Sequence, residues 1–168
     1  MTVCELIPRK NIDMLIKAFK KANISNAWLL ICGDGLEKGT LSSLITEENL
    51  DDKVRLLGFR SDVAELLHAA DVFVFPTKQE GLPGALMEAM AAGLPCIASN
   101  IRGNVDLLEV DYAYLLNPMD IDAWAASMSK ILDEKEACGL YCREQINPFD
   151  IQTVIDRYVE LYDGAMKG

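Results

Sequence analysis

Short apolar runs of strand length alternate with amphipathic segments of helix length along most of this chain, and few folds can absorb that alternation. Residues 27–32 (AWLLIC) are continuously apolar and stop at Gly33-Asp34-Gly35, the pattern of a strand buried on both faces. Residues 3–7, ending at Pro8, and residues 54–57, 72–75, 96–99 and 114–116 supply five more strand-like runs. Between them lie helical segments. Residues 11–22 carry Asn11 as a cap and place Ile12, Leu15, Ile16 and Phe19 on one face. Residues 37–48, residues 62–69 capped by Asp62, and residues 84–92 follow. From residue 121 onward the chain reads as helical, and Ile151, Val154, Ile155, Tyr158 and Leu161 form a last apolar stripe. The expectation is an α/β fold: a doubly wound, Rossmann-like three-layer sandwich with a mostly parallel six-stranded sheet in the order 3-2-1-4-5-6. Residues 1–168 read as one domain, with no internal repeat or linker. The first strand begins almost at Met1, an abrupt start expected of a shortened reading frame or a piece of a longer protein.

Composition narrows the partners. Hydrophobic residues make up 51% and charged residues 25%, an ordinary globular balance. Sixteen Lys and Arg against 26 Asp and Glu leave a net charge of −10. Such a surface repels phosphate backbones and anionic lipid at long range, which argues against nucleic-acid and membrane-surface roles. An anionic small molecule could bind only where cations or backbone N–H groups are concentrated locally. The five cysteines are odd in number and lack zinc-type spacing, and one histidine adds little, so no metal site is expected. Reduced cysteines, no signal peptide and no run of about 18 apolar residues point to a cytoplasmic protein without a transmembrane segment.

In a doubly wound sheet, ligands bind beyond the carboxyl ends of the strands where the strand order reverses, here between the first and fourth. Two loops meet that description: Pro8-Arg9-Lys10-Asn11, and Pro76 to Gly84 (PTKQEGLPG) leading into a helix. The first carries two adjacent cations in an acidic protein. The second has glycines that allow close approach and a helix start with unpaired N–H groups at the positive end of a dipole. Together they would make a pyrophosphate site. Glu80 in the loop and Glu88 inside the helix add two carboxylates, which only accept hydrogen bonds and so suit ribose diols and sugar rings.

Residues 71–76 (DVFVFP), Glu80-Gly81-Leu82-Pro83 and residues 86–95 (LMEAMAAGLP) resemble the signature of glycosyltransferase family 4, whose GT-B fold pairs two Rossmann-like domains across a cleft. Gly33-Asp34-Gly35 and residues 57–63 (LGFRSDV) resemble two further motifs of that family. Residues 101–106 (IRGNVD) are similar to its capsular and exopolysaccharide members. The resemblance covers essentially the whole chain. It implies the C-terminal, donor-binding domain, with the N-terminal acceptor domain absent. It also implies that an NDP-sugar binds and that hexose or N-acetylhexosamine passes, with retention, to a glycan or lipid-linked acceptor. No cofactor and no tightly bound metal are expected. Localisation would be cytoplasmic, the inner membrane face being reached through the missing domain.

By the same resemblance, Glu80 and Lys10 are the catalytic pair, Glu80 beside the donor sugar and Lys10, with Arg9, on the diphosphate. Glu88 would hold the ribose. The N–H groups of Leu82, Ala85 and Leu86 would approach phosphate or sugar within the Gly81-Leu82-Pro83 stretch, the backbone at Arg60 would meet the base, and Gly33 would pass close to the donor. One departure stands out: Cys4-Glu5-Leu6 occupies the place where many members carry Gly-Arg-Leu, which removes a cation. Simpler readings compete. Glu80 could serve the helix start, Glu88 could be a solvated acid, and Arg9-Lys10 an exposed turn. His68 reads as a packed or half-exposed histidine, and Trp28 and Trp124 read as core. Two rival functions remain: a noncatalytic nucleotide-sensing module, and a GT-B sugar-nucleotide epimerase, which would need acid–base residues the lone His68 is poorly placed to supply.

Overall fold

A computed structural model describes residues 1–166. Six strands, β1 (Thr2–Val3), β2 (Leu29–Cys32), β3 (Val54–Gly58), β4 (Phe73–Phe75), β5 (Cys96–Ser99) and β6 (Leu115–Leu116), alternate with helices. These are α1 (Ile12–Ala22), α2 (Lys38–Glu47), α3 (Val63–Ala69), α4 (Gly84–Ala91), α5 (Arg102–Leu108), α6 (Ile121–Asp133), α7 (Lys135–Ile146) and α8 (Ile151–Met166). Every ladder between named strands is parallel.

The expected single six-stranded sheet is instead two three-stranded sheets, β1-β2-β3 and β4-β5-β6. The cause is the brevity of β1. Residues 3–7 were expected to be extended, yet the ladder with β2 ends at Val3. Beyond it Leu6 still donates to Asp34 O at 2.9 Å, but Ile7 N–H turns back onto Glu5 O and Pro8 opens a 3-10 turn over Pro8–Lys10. At the seam Met1, just before β1, forms a parallel pair with β4: its ammonium donates to Val72 O at 2.6 Å and its carbonyl accepts from Val74 N–H at 2.9 Å, and this single pair does not extend into a ladder. Across the seam the order is still β3-β2-β1-β4-β5-β6.

Side-chain alternation on the strands divides the interior into two cores. Ile31, Val74 and Ile97 face α1, α2 and α6 through Leu15, Phe19, Leu41 and Trp124. Cys32, Phe73, Phe75, Cys96 and Ala98 face the other way, onto Leu67, Leu86, Met90, Leu107 and Cys142 of α3, α4, α5 and α7. Helices thus cover both faces, as a parallel sheet requires.

Several expectations change. Trp124 is fully buried, but Trp28 is 62% exposed, because it precedes β2 and stands outside the sheet. No helix was expected at residues 101–106, yet α5 begins there at Arg102. Asn11 and Asp62 flank helices without capping them through their side chains, each being engaged elsewhere. The terminal stripe does not join either core: Ile151, Ile155, Tyr158 and Leu161 of α8 are all exposed.

Candidate functional site

The carboxyl ends of β1, β2 and β4 open into one cleft of about 510 Å³. Lys10, Gly33, Arg60, Glu80, Pro83, Ala85 and Glu88 line it, joined by Cys4, Glu5, Asp34 and Phe59. Arg9, Gly81, Leu82 and Leu86 are not part of the lining.

The turn after β1 is fastened to the loop after β4. Lys78 N–H donates to Arg9 O at 2.8 Å, and the Arg9 guanidinium donates to Gln79 O at 3.1 Å. Asn11 is the pin. It sits in the left-handed region at φ 61°, which asparagine tolerates better than most residues. Its buried side-chain amide donates to Pro76 O at 3.1 Å and to Pro118 O at 2.7 Å. This geometry delivers the Lys10 ammonium onto Glu80 Oε1 as an ion pair, with both side chains only 11% exposed. Arg9 lies 3.5 Å from the same oxygen, and the Thr77 hydroxyl is 2.8 Å from it. The ammonium also stands 5.4 Å from the centre of the Phe75 ring, a cation–π contact.

Across from this pair, α4 begins with Pro83, extended at φ −82° and without a side-chain cap. Among the described residues, Gly84 and Ala85 N–H have no backbone acceptor, so they face the cleft as the positive end of the helix. Leu86 lies outside the lining; its N–H donates to Pro83 O at 3.0 Å and its side chain is fully buried. Glu88, one turn on, is exposed at the cleft rim.

Gly33 is dictated by space: a Cβ there would lie 1.8 Å from Cys4 O, and its φ of 135° disfavours any side chain. The Arg60 guanidinium is bonded to both Asp62 oxygens, at 2.7 and 2.5 Å, and holds that carboxyl below the usual range. Burial pushes the Cys4 thiol up to about 12, so it is a neutral floor to the cleft. His68 is exposed and lies outside the lining, its Nδ1 2.7 Å from Ala64 O. Sequence reading missed three supports. Asn11 had been given a capping role, Thr77 carried no signal, and Gly103 of α5 packs so close that a Cβ would stand 2.2 Å from Gly81 O.

Parallel strands, helices on both faces and a cleft at the strands' carboxyl ends define a Rossmann-like α/β domain. The chain belongs to the family described as Glycosyl transferases group 1, whose profile matches residues 1–144. It is 37% identical over 144 residues to the UDP-Gal:alpha-D-GlcNAc-diphosphoundecaprenol alpha-1,3-galactosyltransferase of Escherichia coli, covering 83% of this chain and 37% of that protein. It is 30% identical over 164 residues to the N-acetyl-alpha-D-glucosaminyl L-malate synthase of Bacillus anthracis, covering 94% of this chain and 43% of the relative. The chain therefore spans less than half the length of either. Among solved structures it is similar in fold to the pneumococcal O-GlcNAc transferase GtfA in complex with UDP and GlcNAc, with a TM-score of 0.87, 24% identity, and coverage of 99% of this chain and 35% of that one. Anabaena HepE in complex with UDP is also similar, at TM-score 0.87, 23% identity, and coverage of 97% and 48%. No helix among the described residues is long and apolar enough to cross a membrane.

Proposed function

We propose that the cleft binds a nucleoside-diphosphate sugar, and that this chain is the C-terminal, donor-binding domain of a retaining GT-B glycosyltransferase of family 4, of the polysaccharide-building type. The observation that carries the reading is the Lys10–Glu80 pair, which joins the turn after β1 to the loop after β4 beside the start of α4. Lys10, the positive end of α4, Glu80 and Glu88 then line one space, with Glu5, Asp34 and Arg60 also at its wall. The names of the relatives, a UDP-galactose-dependent transferase among them, support the same class.

In this reading the diphosphate lies between the Lys10 ammonium and the Gly84–Ala85 end of α4, with Arg9 reaching in from the rim and the Gly81–Pro83 backbone alongside. Glu80 accepts hydrogen bonds from the donor sugar, Glu88 from the ribose, and the backbone at Gly33 and Arg60 flanks the base. As the bond from the anomeric carbon to the diphosphate breaks, negative charge grows on the leaving oxygen, where the ammonium and helix end stabilise it. The leaving phosphate takes the acceptor's proton, so neither a protein nucleophile nor a bound metal is required. Acceptor recognition belongs to the rest of a longer protein, and this chain alone binds donor and transfers nothing.

Calorimetry with UDP, GDP and ADP and their hexose and N-acetylhexosamine derivatives, without magnesium, tests the reading. Glu88→Ala is expected to weaken nucleotide binding about tenfold, or ~1.4 kcal/mol. Equal affinities of variant and wild type would remove the ribose assignment, and a chain that binds none of the set would remove the function.

A further inference from the structure

We infer that Thr77 is a positioning residue that fixes the Glu80 carboxylate so that its Oε2 atom is the acceptor offered to the donor sugar; this rests on the function proposed above. Thr77 is 1% exposed and carries one hydroxyl proton. Three acceptors lie near its Oγ1: Gln79 O at 3.2 Å, Arg9 O at 3.3 Å and Glu80 Oε1 at 2.8 Å. Each of them also has another donor, Arg9 NH1 on Gln79 O, Lys78 N–H on Arg9 O and Lys10 on Glu80 Oε1, so distance and charge decide between them. The third is the nearest and the only ionised one, and charge-assisted bonds are the shorter and stronger kind. The proton therefore goes to Glu80.

The consequence lies in which oxygen is used. Lys10, Arg9 and Thr77 all converge on Oε1. Among the described residues, Oε2 has no hydrogen bond. A carboxylate held only by a lysine could tilt about its last torsion, because that torsion is broad. The threonine hydroxyl, rooted in the backbone at the end of β4, gives a second direction to the hold on Oε1 and fixes the plane of the carboxylate. Oε2 then faces one way, and a sugar hydroxyl finds its acceptor already placed, which lessens the ordering cost of binding.

Thr77→Val keeps the branched shape and removes the proton. The test is an NMR titration of the 168-residue chain with UDP, ADP and GDP and with UDP-galactose, UDP-N-acetylglucosamine, ADP-glucose and GDP-mannose, comparing wild type, Thr77→Val and Thr77→Ser. Wild type should favour one NDP-sugar over its NDP. In Thr77→Val that preference should fall about tenfold while affinity for the bare NDP stays within about twofold. Thr77→Ser, which restores the donor, should recover most of it. A merely structural threonine would weaken both ligands alike. If Thr77→Val fails to fold, Thr77→Ala is titrated in its place with the same expectations. An unchanged preference in the folded variant overturns the inference while leaving the donor site standing. A wild type that binds no NDP, or shows no preference for any sugar, overturns the proposed function and the inference together.

Discussion

Glu5 is exposed at the cleft lining, with Asp34, Glu80 and Glu88 as the other acids there. Against them stand Lys10 and Arg60, and each is already paired with a carboxylate. A diphosphate entering this space meets more side-chain negative charge than positive, so its hold depends on the α4 start and on sharing Lys10 with Glu80. Glu5→Arg reverses one charge and should tighten NDP binding about threefold at low salt, within the range of single exposed charge interactions. The gain should fade near ~1 M salt, where the screening length shrinks to about 3 Å. Titrations at the two ionic strengths check this, and an unaltered affinity at low salt would show that the diphosphate lies away from Glu5. At this scale much was legible in the sequence. Lys10, Glu80 and Glu88 could be picked out because their chemistry and their loops are local. Asn11 was misread for the opposite reason: its partner Pro118 is 107 positions away, and nothing nearby in the chain announces it.

Helix α5 shows how one element can govern another. Its second residue, Gly103, lies against the loop that carries Glu80, with no room for a Cβ beside Gly81 O. Backbone cannot yield as the end of a flexible side chain can. Gly103→Ala should cost about 1–3 kcal/mol, as overpacking does, and should weaken the preference for NDP-sugar over NDP by displacing the loop. Gly39 in α2 is the control, since a Cβ there meets nothing within 4 Å. Gly39→Ala should raise stability by about 0.4–1 kcal/mol and leave binding alone. Thermal denaturation with parallel titration distinguishes the two; equal melting temperatures for both variants would refute the packing argument. The helices themselves were visible apart from α5; α3, of the same seven residues, was read because Asp62 and the strand-like runs on either side marked it, and no comparable signal marked α5. Strand ends were less visible, because Leu6 keeps its hydrogen bond to the neighbouring segment after the ladder has stopped.

At the scale of the molecule, the sequence revealed the doubly wound order but neither the division of the sheet nor the fate of the last helix. Both depend on relations that periodicity does not encode: how far each strand runs beside its neighbour, and what an apolar stripe meets. Ile151, Tyr158, Leu161 and Tyr162 of α8 are exposed and belong to neither core. Removal of residues 151–168 should therefore shift the melting temperature by less than about 1 °C, below the ~2–4 °C that a loss of 1 kcal/mol produces in a domain of this size. A fall of ten degrees would mean that the helix is integral to the fold. The seam between β1 and β4 has the opposite character, because the site straddles it. The loops that would touch a ligand hang from strands on either side of this narrow join, so an occupant bridging them becomes a rivet across it. Whatever binds only the folded chain resists its unfolding, and saturation at a hundred times Kd would add about 2.7 kcal/mol of that resistance.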